Sequence, residues 1–340
     1  MRFVLALSLA LPTLLPAQQV DTLSSGTTAL LQAVSLPAPG VAWVSGHRGT
    51  VLRSLDDGAT WTARPVPGAE RLQFRDIVAI DADTAWILSA GNGRDSRIYR
   101  TTDGGARWTL QFENADSAAF YDCLAVLDAR TAVAFSDAAH GRTLILRTDD
   151  GGTSWRHLGA DAVPAPLEGE GAFAASGGCV SSFGPEHAWV ATGGPQARLF
   201  RSTDAGRHWT SHETPFVRGS SAGMTAVAFR SPLHGVAVAG RIDAMNADTA
   251  SAAVGFTNDG GVGWTLGVRP PRPGALFGVA WARDAADAPI IAVGPGGVFV
   301  SEDAARSWRV VDAAAFWSVG AREGLAFAVG PNGRILRLRF

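Results

Sequence analysis

Three carboxylates, Asp76, Asp122 and Glu170, and four arginines, Arg48, Arg94, Arg142 and Arg241, are the side chains of this sequence best suited to chemistry. Two carboxyls can serve as acid and base on a glycosidic bond. An arginine fork grips a carboxylate through paired donors and stacks on aromatic rings. His140 adds a ring that can donate or accept. No motif singles out any of them for a reaction, so no catalytic residue is assigned. The seven histidines show no ligand spacing and the two cysteines form no CxxC, so no metal site is expected. No glycine-rich loop runs into a helix, which excludes a nucleotide fold and leaves no cofactor expected.

The elements that must position these residues follow from a repeat. Ser/Thr-x-Asp-x-Gly-x-x-Trp occurs as SLDDGATW (54–61), TTDGGARW (101–108), TDDGGTSW (148–155), STDAGRHW (202–209) and TNDGGVGW (257–264). A sixth copy, SEDAARSW (301–308), has Ala305 in the glycine position. The tryptophans fall 47, 47, 54, 55 and 44 residues apart. Such a period marks a blade-type repeat protein. Each box is preceded by two short apolar strands around a Gly-rich turn, as in VAWVSGHRGTVLRS (41–54), and followed by another, as in WTLQF (108–112). Four short strands per unit describe a propeller blade.

The box then joins the third and fourth strands. Its aspartates, Asp56, Asp103, Asp150, Asp204, Asp259 and Asp303, and its Ser/Thr hydroxyls are placed to bond turn amides. Its tryptophans, Trp61, Trp108, Trp155, Trp209, Trp264 and Trp308, bring a large apolar body. Because the same residues recur in every unit, the box reads as architecture, with Trp61, Trp108, Trp155, Trp209 and Trp264 expected to be buried in one repeated role.

The boxes resemble the Asp-box, or bacterial neuraminidase repeat, motif. Three groups carry it on propellers: sialidases, xyloglucan-cleaving glycosidases, and photosystem II stability/assembly factor-like proteins. YRTTDGGARW (99–108), LRTDDGGTSW (146–155), GEGAFAASGG (169–178), FRSTDAGRHW (200–209) and AVGPNGRILRL (328–338) are most similar to the last group, in its branch from non-photosynthetic bacteria. The resemblance spans nearly the whole chain after the leader. It implies a propeller that holds a partner protein on one face. A sialidase would need a tyrosine nucleophile at the mouth, whereas the two tyrosines here are Tyr99, directly before a box, and Tyr121. The Arg-Ile-Pro opening of sialidase domains is absent, and the xyloglucan-cleaving enzymes use two propellers.

The expected fold is therefore all-β, a seven-bladed propeller of four-stranded blades over residues 18–340, with six blades as the alternative. MRFVLALSLALPTLLPA (1–17) reads as a signal peptide, with cleavage near Ala17 and no cysteine after it. The remaining residues divide into seven units at about 46 each. LAFAVGPNGRILRLRF (325–340) lacks a box, and its missing fourth strand is expected from about 20–26, pairing with about 335–340. Such closure removes exposed sheet edges.

No segment after the leader is apolar enough to span a membrane. All 29 basic residues are Arg and the formal net charge is −2, which disfavours a nucleic-acid partner. Cys123 and Cys179 lie 32 and 30 residues before Trp155 and Trp209, on innermost strands. A disulfide and two buried thiols are the open alternatives.

On a propeller, the loops entering the first strand and those between second and third strands share one face, opposite the boxes. That face should carry Arg48, Arg94, Asp122, His140, Arg142, Glu170 and Arg241, and loops are where binding residues collect. The reading is a periplasmic or extracellular monomer, non-catalytic, that binds an envelope protein, a peptide or a glycan there. The alternative is a carbohydrate hydrolase using mouth carboxylates.

Overall fold

The computed structural model describes residues 18–249 and 254–340. The expected signal peptide, 1–17, lies outside the described residues.

Seven antiparallel four-stranded sheets form the fold. Blade 1 runs from the inside outward as Leu31–Ala38, Val41–Gly46, Val51–Ser54 and Thr62–Ala63. Blade 2 is Phe74–Ala79, Ala85–Ser89, Arg97–Thr101 and Thr109–Glu113, and blade 3 is Tyr121–Val126, Ala132–Ala139, Arg142–Thr148 and Arg156–His157. Blades 4, 5 and 6 begin at Val180–Phe183, Ala222–Phe229 and Gly278–Trp281. Blade 7 takes Ser318–Arg322, Leu325–Val329 and Arg334–Arg339 from the end of the chain and Gln19–Ser24 from its start. Gln19–Ser24 pairs with Arg334–Arg339 from Gln19 opposite Arg339 to Ser24 opposite Arg334. Arg337 adds an ion pair to Asp21 at 2.8 Å.

The core lies between blades. Trp43, Trp86 and Trp189, on second strands, are wholly buried, and each apolar cluster draws on neighbouring blades. The box tryptophans differ from expectation: only Trp209 is buried, while Trp61, Trp108, Trp155, Trp264 and Trp308 are half-exposed. Nor do they share one role. Trp108 and Trp308 donate from Nε1 to carbonyls of the preceding blade, Arg64 O at 3.1 Å and Val268 O at 2.7 Å. Trp209 and Trp264 turn back onto their own boxes, to Gly206 O and Gly261 O.

The polar part of the box repeats faithfully. In SLDDGATW, the Gly58 amide donates to Ser54 Oγ at 2.8 Å and the Thr60 amide to Asp56 Oδ1 at 2.9 Å. The same two bonds recur around Asp103, Asp150, Asp204, Asp259 and Asp303. Two consecutive residues take left-handed φ, such as Gly151 at 73° and Gly152 at 86°, which explains the glycines. The boxes are also linked around the ring. Arg337, Arg100 and Arg147, each in a third strand, donate to Asp57 O, Gly151 O and Ala205 O in the box of the next blade.

Candidate functional site

Four inner strands carry a β-bulge near their start. The register shifts at Gln32 in blade 1, Arg75 in blade 2, Asp122 in blade 3 and Thr225 in blade 5. A bulge breaks the alternation of a strand and re-aims one side chain. In the first three blades the re-aimed residue lines a single cavity of about 410 Å³ at the channel mouth. His47 and Asp137 join them, and Phe120, Phe173, Phe277 and Trp317 supply aromatic wall.

The floor is made by the long insert before blade 4. Its segment Gly171–Ser176 crosses the channel and is held by residues of four other blades. Gln32 Nε2 donates to Ala175 O at 3.1 Å, and Arg75 Nη1 donates to Ala174 O at 3.2 Å. Ser176 Oγ donates to Phe277 O, and Ser318 Oγ donates to Ser176 O at 3.1 Å. Two glycines flank the plug because acids sit against them. A Cβ at Gly171 would lie 2.2 Å from Asp137 Oδ1, and one at Gly177, with φ of +70°, would lie 2.4 Å from Asp76 Oδ1. This gives the GEGAFAASGG segment a structural purpose.

Burial sets the charge of the mouth. Asp76, wholly enclosed, is pushed up to about 8 despite accepting from the Leu124 amide at 2.7 Å. Asp122 is raised well above the ordinary carboxylate range, by burial and then by the neighbouring Asp137 charge. Asp137 is itself raised by burial to about 6, although the Ala172 amide donates to it at 3.0 Å. The two carboxyls share a hydrogen bond, so Asp122 holds the proton and Asp137 the charge. Arg75 works against the rise of Asp122 through its charge, and its Nε and Nη2 are held by Gln73 Oε1 at 3.1 and 2.6 Å. Burial, then Arg75 and Arg48, lowers the pKa of His47 and favours its neutral ring.

Of the seven expected binding residues, only Asp122 lines this cavity. Arg48 and Arg142 are exposed and have no ion pair among the described residues. Arg94 is exposed but lies 3.4 Å from Glu113. His140 Nε2 lies 2.9 Å from Asp116, and Arg241 is paired with Asp243 at 2.9 Å. Glu170 requires a correction: it is 9% exposed and not open to a partner. Its Oε1 accepts from Arg198 Nε at 2.9 Å and from Thr192 Oγ1 at 2.8 Å, and its Oε2 from Arg198 Nη2. Burial forces this carboxylate and guanidinium together. Tyr121 is also turned into the core, its hydroxyl 2.7 Å from His157 Nε2.

Gln32, His47 and Arg75 were missed as site residues. Asp76 and Asp122 stand 32 and 33 residues before their tryptophans, but the bulge matches Asp122 with Arg75 and places Asp76 one residue further along. No sequence signal marks the bulges. Cys123 and Cys179 form a disulfide between the inner edges of blades 3 and 4, with Cα atoms 6.0 Å apart. Among the described residues no group of three or more His, Cys, Asp or Glu could hold a metal, and no helix is long and apolar enough to cross a membrane.

Comparison with known proteins bears on the fold and the family. A structure of YCF48 bound to D1 peptide is 16% identical with a TM-score of 0.66, covering 98% of this chain and 100% of that one. YCF48 from Cyanidioschyzon merolae is 18% identical with a TM-score of 0.66, over 94% of this chain and 98% of that one. Virginiamycin B lyase from Staphylococcus aureus is 13% identical with a TM-score of 0.65, over 95% and 99%. These likenesses establish the propeller fold. No curated protein matches the chain. The family model for Photosynthesis system II assembly factor YCF48 matches residues 16–178, which span blades 1 to 3 and the plug. Over those residues, just under half of its length, the chain resembles the photosystem II assembly factor-like family, whose propeller fold it shares throughout.

Proposed function

We propose that the protein is an exported, non-catalytic propeller that holds a peptide segment of another envelope protein on its loop face. The observation that carries this reading is the contrast between the two faces. One repeats a tight hairpin and bears an open groove of about 770 Å³ beside the boxes of blades 5 and 6. The other has a cavity at the channel mouth with an aromatic wall and buried polar groups, and its loops carry the exposed Arg48 and Arg142, which have no ion pair among the described residues. A concave, mostly apolar site with a few converging polar groups is the usual form of a binding pocket. The D1 peptide bound to the related YCF48 supports a peptide as the occupant. The apolar leader and the Cys123–Cys179 bridge support a periplasmic or extracellular location, where disulfides persist.

A carbohydrate hydrolase is not favoured. Its two carboxyls would stand about 5–10 Å apart to admit a sugar or a water. Asp122 and Asp137 are bonded to each other, and Glu170 is locked to Arg198.

The test is cross-linking of the mature protein in the native envelope, followed by mapping of the cross-linked positions. Cross-links to a partner protein should cluster on the loops around residues 47–49, 91–96, 140–142 and 241–248. Cross-links confined to the box hairpins would contradict the proposal, as would capture of no protein.

A further inference from the structure

Three buried polar atoms around the mouth have no protein partner: Gln32 Oε1, His47 Nε2 and Asp122 Oδ2. All three residues line the same cavity. Gln32 and Asp122 are only 3% and 1% exposed, so bulk water does not satisfy them freely. A buried polar atom without a partner costs about 1–3 kcal/mol, and such groups are normally matched by water or a ligand. Their convergence, on side chains re-aimed by bulges in two blades, marks a built site.

The chemistry of the missing partner can be read from what the site lacks. Gln32 Nε2 is already committed to Ala175 O, so the amide oxygen turned to the cavity can only accept. Asp122, which holds a proton, and neutral His47 can each accept or donate at the free atom. The occupant must therefore donate. It should also be uncharged, because the lining holds one cation, Arg75, and one ionised carboxylate, Asp137, and so offers a buried charge no net counter-charge. Phe120, Phe173, Phe277 and Trp317 favour a ring, through edge and offset contacts. The cavity, about 410 Å³, accommodates one such ring with some water.

We infer that the mouth is a subsite for one uncharged aromatic side chain bearing an N–H or O–H donor, a tyrosine or a tryptophan of the bound segment. The peptide source rests on the loop-face reading above; the chemistry of the pocket does not.

The experiment titrates the mature wild-type protein at pH 7 with p-cresol, toluene, benzylammonium and N-acetyl-tyrosinamide, following binding by calorimetry and ligand-observed NMR. We expect p-cresol and N-acetyl-tyrosinamide to bind, and toluene and benzylammonium to bind at least about 10-fold more weakly, the equivalent of one hydrogen bond. Replacing Gln32 (Gln32→Met) should shrink the preference of p-cresol over toluene. Equal affinity for toluene overturns the donor requirement, and equal affinity for benzylammonium overturns the neutral occupant. Binding of p-cresol without N-acetyl-tyrosinamide would assign the pocket to a free aromatic compound and overturn the peptide source. No binding by any probe overturns the subsite. None of these failures touches the loop-face cross-links, and failed cross-links leave the probe affinities standing.

Discussion

Residues at the fifth position of each box show how closely one blade is fitted to the next. A Cβ at Gly105 would lie 2.8 Å from the Arg64 side chain, and one at Gly152 would lie 1.9 Å from Gln111 Oε1. Arg64 and Gln111 each stand three residues after the tryptophan of the preceding blade. In the sixth box the fifth residue is Ala305, and the corresponding position in the preceding blade is Gly267. The departure from the motif is thus compensated across the interface. Replacing Gly152 by Ala should destabilise by about 1–3 kcal/mol through overpacking. Adding Gln111→Gly should recover part of that loss, an interaction measurable as a double-mutant cycle in denaturant unfolding. Strict additivity would show that the two positions do not meet.

The acids at the mouth make a second prediction at this scale. Asp76 has a folded pKa of about 8 against an ordinary 3.8, so the native state binds its proton more tightly than the unfolded chain. The stability this gives is complete below the ordinary value and is lost as pH rises through about 8. Asp137, at about 6, acts in the same direction over a narrower window. The box aspartates Asp150 and Asp303, held near 2 by hydrogen bonds, have the opposite sign and matter only as pH falls below the ordinary carboxylate value. The melting temperature should therefore fall between pH 5 and pH 9. Asp76→Asn, whose amide oxygen can still accept from Leu124, should flatten that fall. A wild-type curve level across this range would contradict the burial argument.

At the scale of elements, legibility followed repetition. The boxes and the strands around them could be read because each is local and recurs. The bulges could not, since one extra residue in a strand depends on what the neighbouring strand and the channel require. Gln32 and Arg75 therefore look like ordinary strand residues in the sequence, yet both line the mouth. The GEGAFAASGG segment could not be read as a plug, because its anchors lie up to 143 residues away. Glu170 was misread for the same reason, its partner Arg198 being 28 residues distant. The box tryptophans were over-assigned to the core because periodicity reveals recurrence but not depth.

At the scale of the molecule, blade 7 joins the two ends of the chain, so its outer strand is the clasp of the ring. Without Gln19–Ser24, the Arg334–Arg339 strand would present a row of unpaired backbone groups. Removing residues 18–24 should lower the melting temperature by several degrees and open blade 7 first. Hydrogen exchange would show this as selective loss of protection in Arg334–Arg339. An unchanged melting curve would mean that the ring is held by its inter-blade cores alone.

The two faces differ in what they can recognise, and the most direct measurement compares them. Arg48→Glu with Arg142→Glu reverses two exposed charges on the loop face, and Arg107→Glu with Arg207→Glu reverses two on the box face. Exposed substitutions of this kind usually change stability by no more than about 0.5 kcal/mol, so both variants should fold. The affinity of each for the captured partner is then measured by titration at fixed ionic strength. The account predicts at least about a 10-fold loss for the loop-face pair and no change for the box-face pair. A loss confined to the box-face pair would contradict it.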